Sequence, residues 1–162
     1  MQNKKTKGLL INGIVAAMYL VLTILVSPVA SGPIQFRISE SLNHLVVFNK
    51  KLIWGVFFGV VLYNLMFSEF GMLDVIFGGG QTLAALLITS FLKKYIKDVR
   101  WLLAANVLVF SISMGLIAWM LYVTIQAPFW LTYGWTALSE FIVMGIAAPV
   151  MYYISSRINL DF

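Results

Sequence analysis

Cysteine is absent from the 162 residues, so neither a disulfide framework nor a thiolate metal site can form. Charge is scarce too: Asp, Glu, Lys and Arg make up 10% of the chain, and there is one histidine, His44. A lone imidazole with no second His or Cys at ligand spacing removes the usual transition-metal sites. The glycine run "FGGGQT" (Phe77 to Thr82) lacks the lysine and the preceding strand that a phosphate-cradling loop requires. No nucleophile stands beside a base in a catalytic arrangement. The expectation is therefore a chain with no catalytic residue, no metal and no cofactor, whose energy for any work comes from a gradient or a partner.

What is abundant is apolar surface. Hydrophobic residues make up 61% of the chain, against roughly 45 to 50% in soluble domains, and mean hydropathy is +0.93. This composition reads as one all-α integral membrane domain covering 1–162, with room for about six helical spans of ~20 residues. A net charge of +5 would suggest nucleic acid in a soluble protein, but here the cations fall between spans, and no nucleic-acid partner is expected. The N-terminus, "MQNKKTKGLL", begins like a signal peptide. Its apolar run is longer than the ~7 to 15 residues of a signal core and no small-x-small cleavage site follows, so it reads as a retained first helix.

That helix is expected over about Gly8 to Val26, ending before Pro28, with a loop over Ser27 to Phe36. The second, about Ile38 to Phe48, is too short to cross ~30 Å at ~1.5 Å per residue and needs protein around one end. Four more are expected over about Leu52 to Phe67, Leu73 to Leu92, Trp101 to Val123 and Tyr133 to Ile154. Between them lie the basic linker "KKYIKDVR" and the aromatic loop "TIQAPFWLTYGW". With cytoplasmic N- and C-termini, Lys4, Lys5, Lys7, Lys50, Lys51, Lys93, Lys94, Lys97, Arg100 and Arg157 all fall inside, as the positive-inside bias asks. Arg37 is the one outer cation, and Glu40, Glu69, Asp74 and Glu140 make the outer side acidic.

Glu140 is the strongest single signal. It lies about two turns into the last expected helix, where a carboxylate is costly unless paired or facing a wet cavity. A functional site and a structural ion pair with Arg37 are both open. Asp74 opens a helix, where the dipole stabilises a carboxylate without any ligand. Gly78 and Gln81 follow it on the same face, as a ligand-binding stripe or as ordinary close packing. His44 shares a face with Glu40, four residues away. Gly13 with Ala17, and Gly55 with Gly59, are small pairs that let another helix approach, inside the fold or on a partner.

Four segments in order, "NGIVAAMYLVLT", "SPVASGPIQFRISE", "FGMLDVIFGGGQTLAALL" and "PFWLTYGWTALSEFIV", resemble the QueT family of queuosine-precursor transporters. These are substrate-binding S components of energy-coupling factor (ECF) importers. The resemblance implies a six-helix S-component fold in a bacterial cell membrane, with the loop after the first helix as a lid. It implies partners as well, a membrane T subunit and two cytoplasmic ATPases, with Gly13, Ala16 and Ala17 in place of the small-residue docking motif.

The implied ligand is 7-aminomethyl-7-deazaguanine (preQ1) or a close relative. Its guanine-like edge offers adjacent N–H donors that one carboxylate accepts, and its ammonium wants a second carboxylate. Glu140 is the candidate for the edge, and Glu40 or Asp74 for the ammonium. Gln35, Arg37 or Gln81 would serve the carbonyl oxygen, and Phe36, Trp130, Tyr133 or Trp135 the ring face. Alternatives are an S component for a thiamine- or riboflavin-type vitamin, or a stand-alone proton-coupled carrier relaying through Glu140 and His44. An intramembrane enzyme pairing Glu40 with His44 would lack a nucleophile.

Overall fold

The computed structural model describes residues 4–26, 37–158 and 160, and every element among them is helical. The first helix is α1 (Lys4–Leu25). A 3-10 helix, Ile38–His44, runs into the single turn α2 (Leu45–Phe48), and a second short 3-10 piece, Lys50–Leu52, leads into α3 (Ile53–Phe67). Then come α4 (Met72–Leu92), α5 (Val99–Ser113), α6 (Gly115–Ile125) and α7 (Phe129–Arg157). Five stretches are long and apolar enough to cross a membrane: α1, Lys50–Phe67, α4, Val99–Ile125 and α7.

All six expected segments are present, and the second is indeed too short to span. It survives because α1, α3, α4, α5 and α7 pack around it, so Ser39, Glu40, Asn43, His44 and Val46 are buried in protein rather than lipid. Its 3-10 winding rises ~2.0 Å per residue against ~1.5 Å for an α-helix, which lengthens its reach.

Two differences from the sequence reading bear on the site. The fifth helix is broken at Met114 instead of running through. Ser111 Oγ donates back to Val107 O at 2.8 Å and Ser113 Oγ to Phe110 O at 2.7 Å, just before Gly115. Hydroxyl back-bonding beside a glycine is a recognised cause of helix breaks. The last helix starts at Phe129 rather than Tyr133, because Pro128 pre-sets a helix start and Gln126 closes α6 in the left-handed conformation at φ 56°. Most of the expected aromatic loop is therefore helix, and Glu140 lies about three turns into α7 rather than two.

Three contacts gather one end of the bundle. Lys93 Nζ donates to Phe48 O at 2.8 Å, Asn49 Nδ2 to Leu160 O at 2.7 Å, and Gly55 N to Asn12 Oδ1 at 2.6 Å. The start of α1, the end of α2, the end of α4 and the last described residue thus share the basic end. The main core, with Tyr19, Val46, Leu52, Val56, Leu86, Phe110 and Met144, lies beside the short segment. α1 and α3 touch where Gly55 and Gly59 lack side chains: a Cβ on Gly59 would lie 2.6 Å from Tyr19 Cβ. The Gly55 and Gly59 pair is internal packing.

Candidate functional site

The N-terminal half of α7 turns a polar stripe inward: Thr132, Thr136, Ser139 and Glu140 are buried at three- and four-residue spacing, while Trp130, Leu131, Trp135 and Leu138 face away from the bundle. Opposite Glu140 stands the start of the short segment. Glu40 is buried and accepts from Tyr19 Oη at 2.6 Å and from Asn43 Nδ2 on its other oxygen. Three residues earlier, half-buried Arg37 places its guanidinium 5.4 Å from the Tyr63 ring centroid, in cation–π geometry.

α4 supplies the third wall. Asp74, Gly78 and Gln81 recur on one face and all line the same space. Asn64 of α3 donates to the Asp74 carbonyl at 2.9 Å, and Gly78 lies against it, where a Cβ would sit 2.7 Å from Asn64 Nδ2. Gln81 Nε2 donates to Ser113 Oγ at 2.6 Å, at the break between α5 and α6. Arg37, Glu40, Asp74, Gln81 and Glu140, expected from sequence as site residues, thus line one cavity, closed further by Thr82, Met114 and Ile117.

The cavity is tight. Its volume is about 20 Å³, room for about one water, against ~300 to 1,000 Å³ for sites that hold a small molecule. A ring-sized ligand fits only if lining side chains move. Larger hollows elsewhere lack this convergence of charge: a groove of about 560 Å³ between α5 and α7 is almost wholly apolar, and one of about 420 Å³ lies at the basic end beside Lys93 and Lys97.

The three acids are not equivalent. Asp74 Oδ2 takes hydrogens from Ser68 Oγ at 2.5 Å and Phe70 N at 3.4 Å, and Glu40 has a donor on each oxygen. Glu140 Oε1 is buried with no hydrogen-bond partner. Leaving such an acceptor unsatisfied costs on the order of 1 to 3 kcal/mol, so it marks where an incoming N–H donor would be repaid.

His44 is fixed at both ring nitrogens. Nε2 faces Met144 O at 2.9 Å, which requires it to donate, and Nδ1 then accepts from Asn106 Nδ2 at 3.0 Å. Thr89 Oγ1 completes the network by donating to Asn106 Oδ1 at 2.6 Å. This is a neutral, structural imidazole tying the short segment to α5 and α7. Among the described residues no group of His, Cys, Asp and Glu could hold a metal ion.

The sequence profile of the QueT transporter family matches residues 9–156. The chain belongs to that family. It is 38% identical over 170 aligned residues to the queuosine precursor transporter QueT of Lactococcus lactis subsp. cremoris (strain MG1363), with 99% of each chain covered. No solved structure matches it. As a QueT family member with five helices able to span a bilayer, the chain is a multi-pass membrane transport protein.

The remaining expected site residues of this QueT family member are spread more widely. Gln35 and Phe36 lie outside the described residues. Trp130 is 79% exposed, and Tyr133 reaches Ile112 O at 3.4 Å; neither lines the cavity. Gly13, Ala16 and Ala17 line an apolar groove of about 790 Å³ between α1 and α3, with Ala16 largely buried at its base. A Cβ on Gly13 would meet nothing within 4 Å, so this glycine, unlike Gly55 and Gly59, is not needed for packing inside the fold. Tyr19, Asn43 and Asn64 were not legible as site residues from the sequence. The available signal was the buried phenol of Tyr19 in the middle of an apolar helix, which needs a partner somewhere.

Proposed function

We propose that this QueT family member is the substrate-capture S component of an ATP-driven ECF importer in a bacterial cell membrane. It takes up 7-aminomethyl-7-deazaguanine, or a close relative, from the outer side and delivers it with a T subunit and two cytoplasmic ATPases. One observation carries the reading: Arg37, Glu40, Asp74, Gln81 and Glu140 converge from three parts of the chain on a single intramembrane cavity. Acids of this kind inside a membrane belong to substrate or ion pathways.

Glu140 Oε1 is the acceptor for the adjacent N–H groups of the guanine-like edge. Glu40 faces the ammonium, with Asp74 the more outward second anion. Arg37 and Gln81 are the donors within reach of a ring carbonyl. The relative from Lactococcus lactis, covered almost end to end, is by name a queuosine precursor transporter, which supports the ligand class. Basic residues at the end opposite the acids support a cytoplasmic placement of that end. The groove beside Gly13 and Ala17 supports docking of a T-subunit helix.

Two measurements test this. The purified chain should gain thermal stability with 7-aminomethyl-7-deazaguanine, rising with the logarithm of ligand excess over Kd, and should co-purify with a T subunit and two ATPases when co-expressed. Stabilisation by thiamine or riboflavin instead would move the reading to another S component. Uptake by the chain alone, abolished by dissipating a proton gradient, would replace it with a self-sufficient carrier.

A further inference from the structure

Glu40 is held in a way the other acids are not. Its two donors come from different elements, Tyr19 from α1 and Asn43 from the 3-10 segment, and both residues are wholly buried. Tyr19 has little freedom to swing away: its Cβ packs on the bare Cα of Gly59, and one turn later Thr23 Oγ1 bonds both Tyr19 O at 2.7 Å and Ser39 Oγ at 2.6 Å. With one donor on each oxygen, the carboxylate plane is set and its remaining lone pairs are left for the cavity that Glu40 lines.

We infer that Tyr19 and Asn43 are positioning residues that aim Glu40 at the cationic group of the ligand, making a positively charged amine the determinant of specificity. This rests on the proposed deazapurine site. An ammonium meeting a carboxylate makes a charge-assisted hydrogen bond, stronger and more directional than a neutral one. Its strength depends on the anion being in place before the ligand arrives, since ordering two flexible partners at once costs affinity. The uncharged ring edge is read separately, by Glu140, whose Oε1 has no tie to Tyr19 or Asn43.

The competing role is a purely structural one, in which the Tyr19 to Glu40 bond only fastens α1 to the short segment. The two separate on ligand selectivity. Dissociation constants are measured for 7-aminomethyl-7-deazaguanine and for its neutral 7-cyano analogue, which keeps the same ring edge. The wild-type protein should prefer the amine. Tyr19→Phe should weaken amine binding about tenfold, the order expected for a hydrogen bond to a charged group, and leave the cyano compound within about twofold. Glu40→Gln, near-isosteric, should erase the preference and carries the test if Tyr19→Phe folds poorly. Equal losses for both ligands in these variants, or no loss for either, overturn the inference alone. A wild-type protein that binds neither ligand overturns the proposed function and this inference with it.

Discussion

Glu40 and Glu140 line the same cavity in opposite hydrogen-bonding states: Tyr19 and Asn43 occupy the two oxygens of Glu40, whereas Glu140 Oε1 has no partner. Two buried acids on one cavity with Arg37 between α3 and the short segment would be costly as scaffolding alone. The asymmetry fits a division of labour in which one anion is set in advance and the other waits for a donor.

Glu140→Gln tests the waiting acceptor. The amide keeps the shape but offers one carbonyl oxygen instead of two, so bidentate acceptance from a guanine-like edge is lost. Losing one of two hydrogen bonds from the neutral ring edge to a charged acceptor costs about 1.5 to 3 kcal/mol, roughly tenfold or more in Kd. The melting temperature of the ligand-free protein should hold or rise, because a neutral amide of the same shape replaces a buried carboxylate. Ligand titration alongside thermal unfolding reads both.

His44→Leu should behave in the reverse way. It strands one Asn106 amide hydrogen inside the bundle, at a cost of about 1 to 3 kcal/mol, and removes the side-chain tie to Met144 O, so thermal stability falls clearly. Deazapurine affinity of the folded fraction should change less than about threefold, since His44 does not line the cavity. A loss of affinity without a loss of stability would move His44 into the binding machinery.

The helical plan was legible because lipid enforces it: apolar run lengths and prolines mark the spans, and ten cations fall between or beside them. The acids that line the cavity were legible for the same reason, since a carboxylate such as Glu140 is too costly in an apolar run unless it is paired or faces a polar cavity. What escaped was decided by contacts between segments far apart in the chain. Nothing around Tyr19 announces that its hydroxyl meets Glu40, and the break at Met114 depends on serine back-bonds beside Gly115 that hydropathy does not register. The outer aromatics misled in the boundary of α7 because tryptophan and tyrosine suit an interfacial loop and an interfacial helix turn equally well.

Gly78→Ala should separate binding from folding. The new methyl meets Asn64 Nδ2 at 2.7 Å and loosens its bond to the Asp74 carbonyl, a loss of about 1 kcal/mol. Alanine regains about the same amount in helix propensity over glycine. Stability should therefore change little, while affinity falls at least tenfold because the methyl intrudes on the cavity and displaces one of its walls. Calorimetric titration of the variant with the amine ligand decides it.

Gly59→Ala and Gly13→Leu address the two faces of α1. A Cβ on Gly59 lies 2.6 Å from Tyr19 Cβ and 3.1 Å from Ala16 O, atoms at or near the backbone that cannot rotate away. α1 and α3 must then separate, an overpacking cost of about 1 to 3 kcal/mol that lowers the melting temperature and weakens the ligand through Tyr19. Gly13 has nothing within 4 Å of its Cβ position and borders the open groove. Gly13→Leu should therefore melt like the wild type and bind the deazapurine with unchanged affinity, yet fail to co-purify with the T subunit, because its side chain fills the space a partner helix would use. Retained co-purification would remove the groove from the docking surface and leave the ligand site untouched.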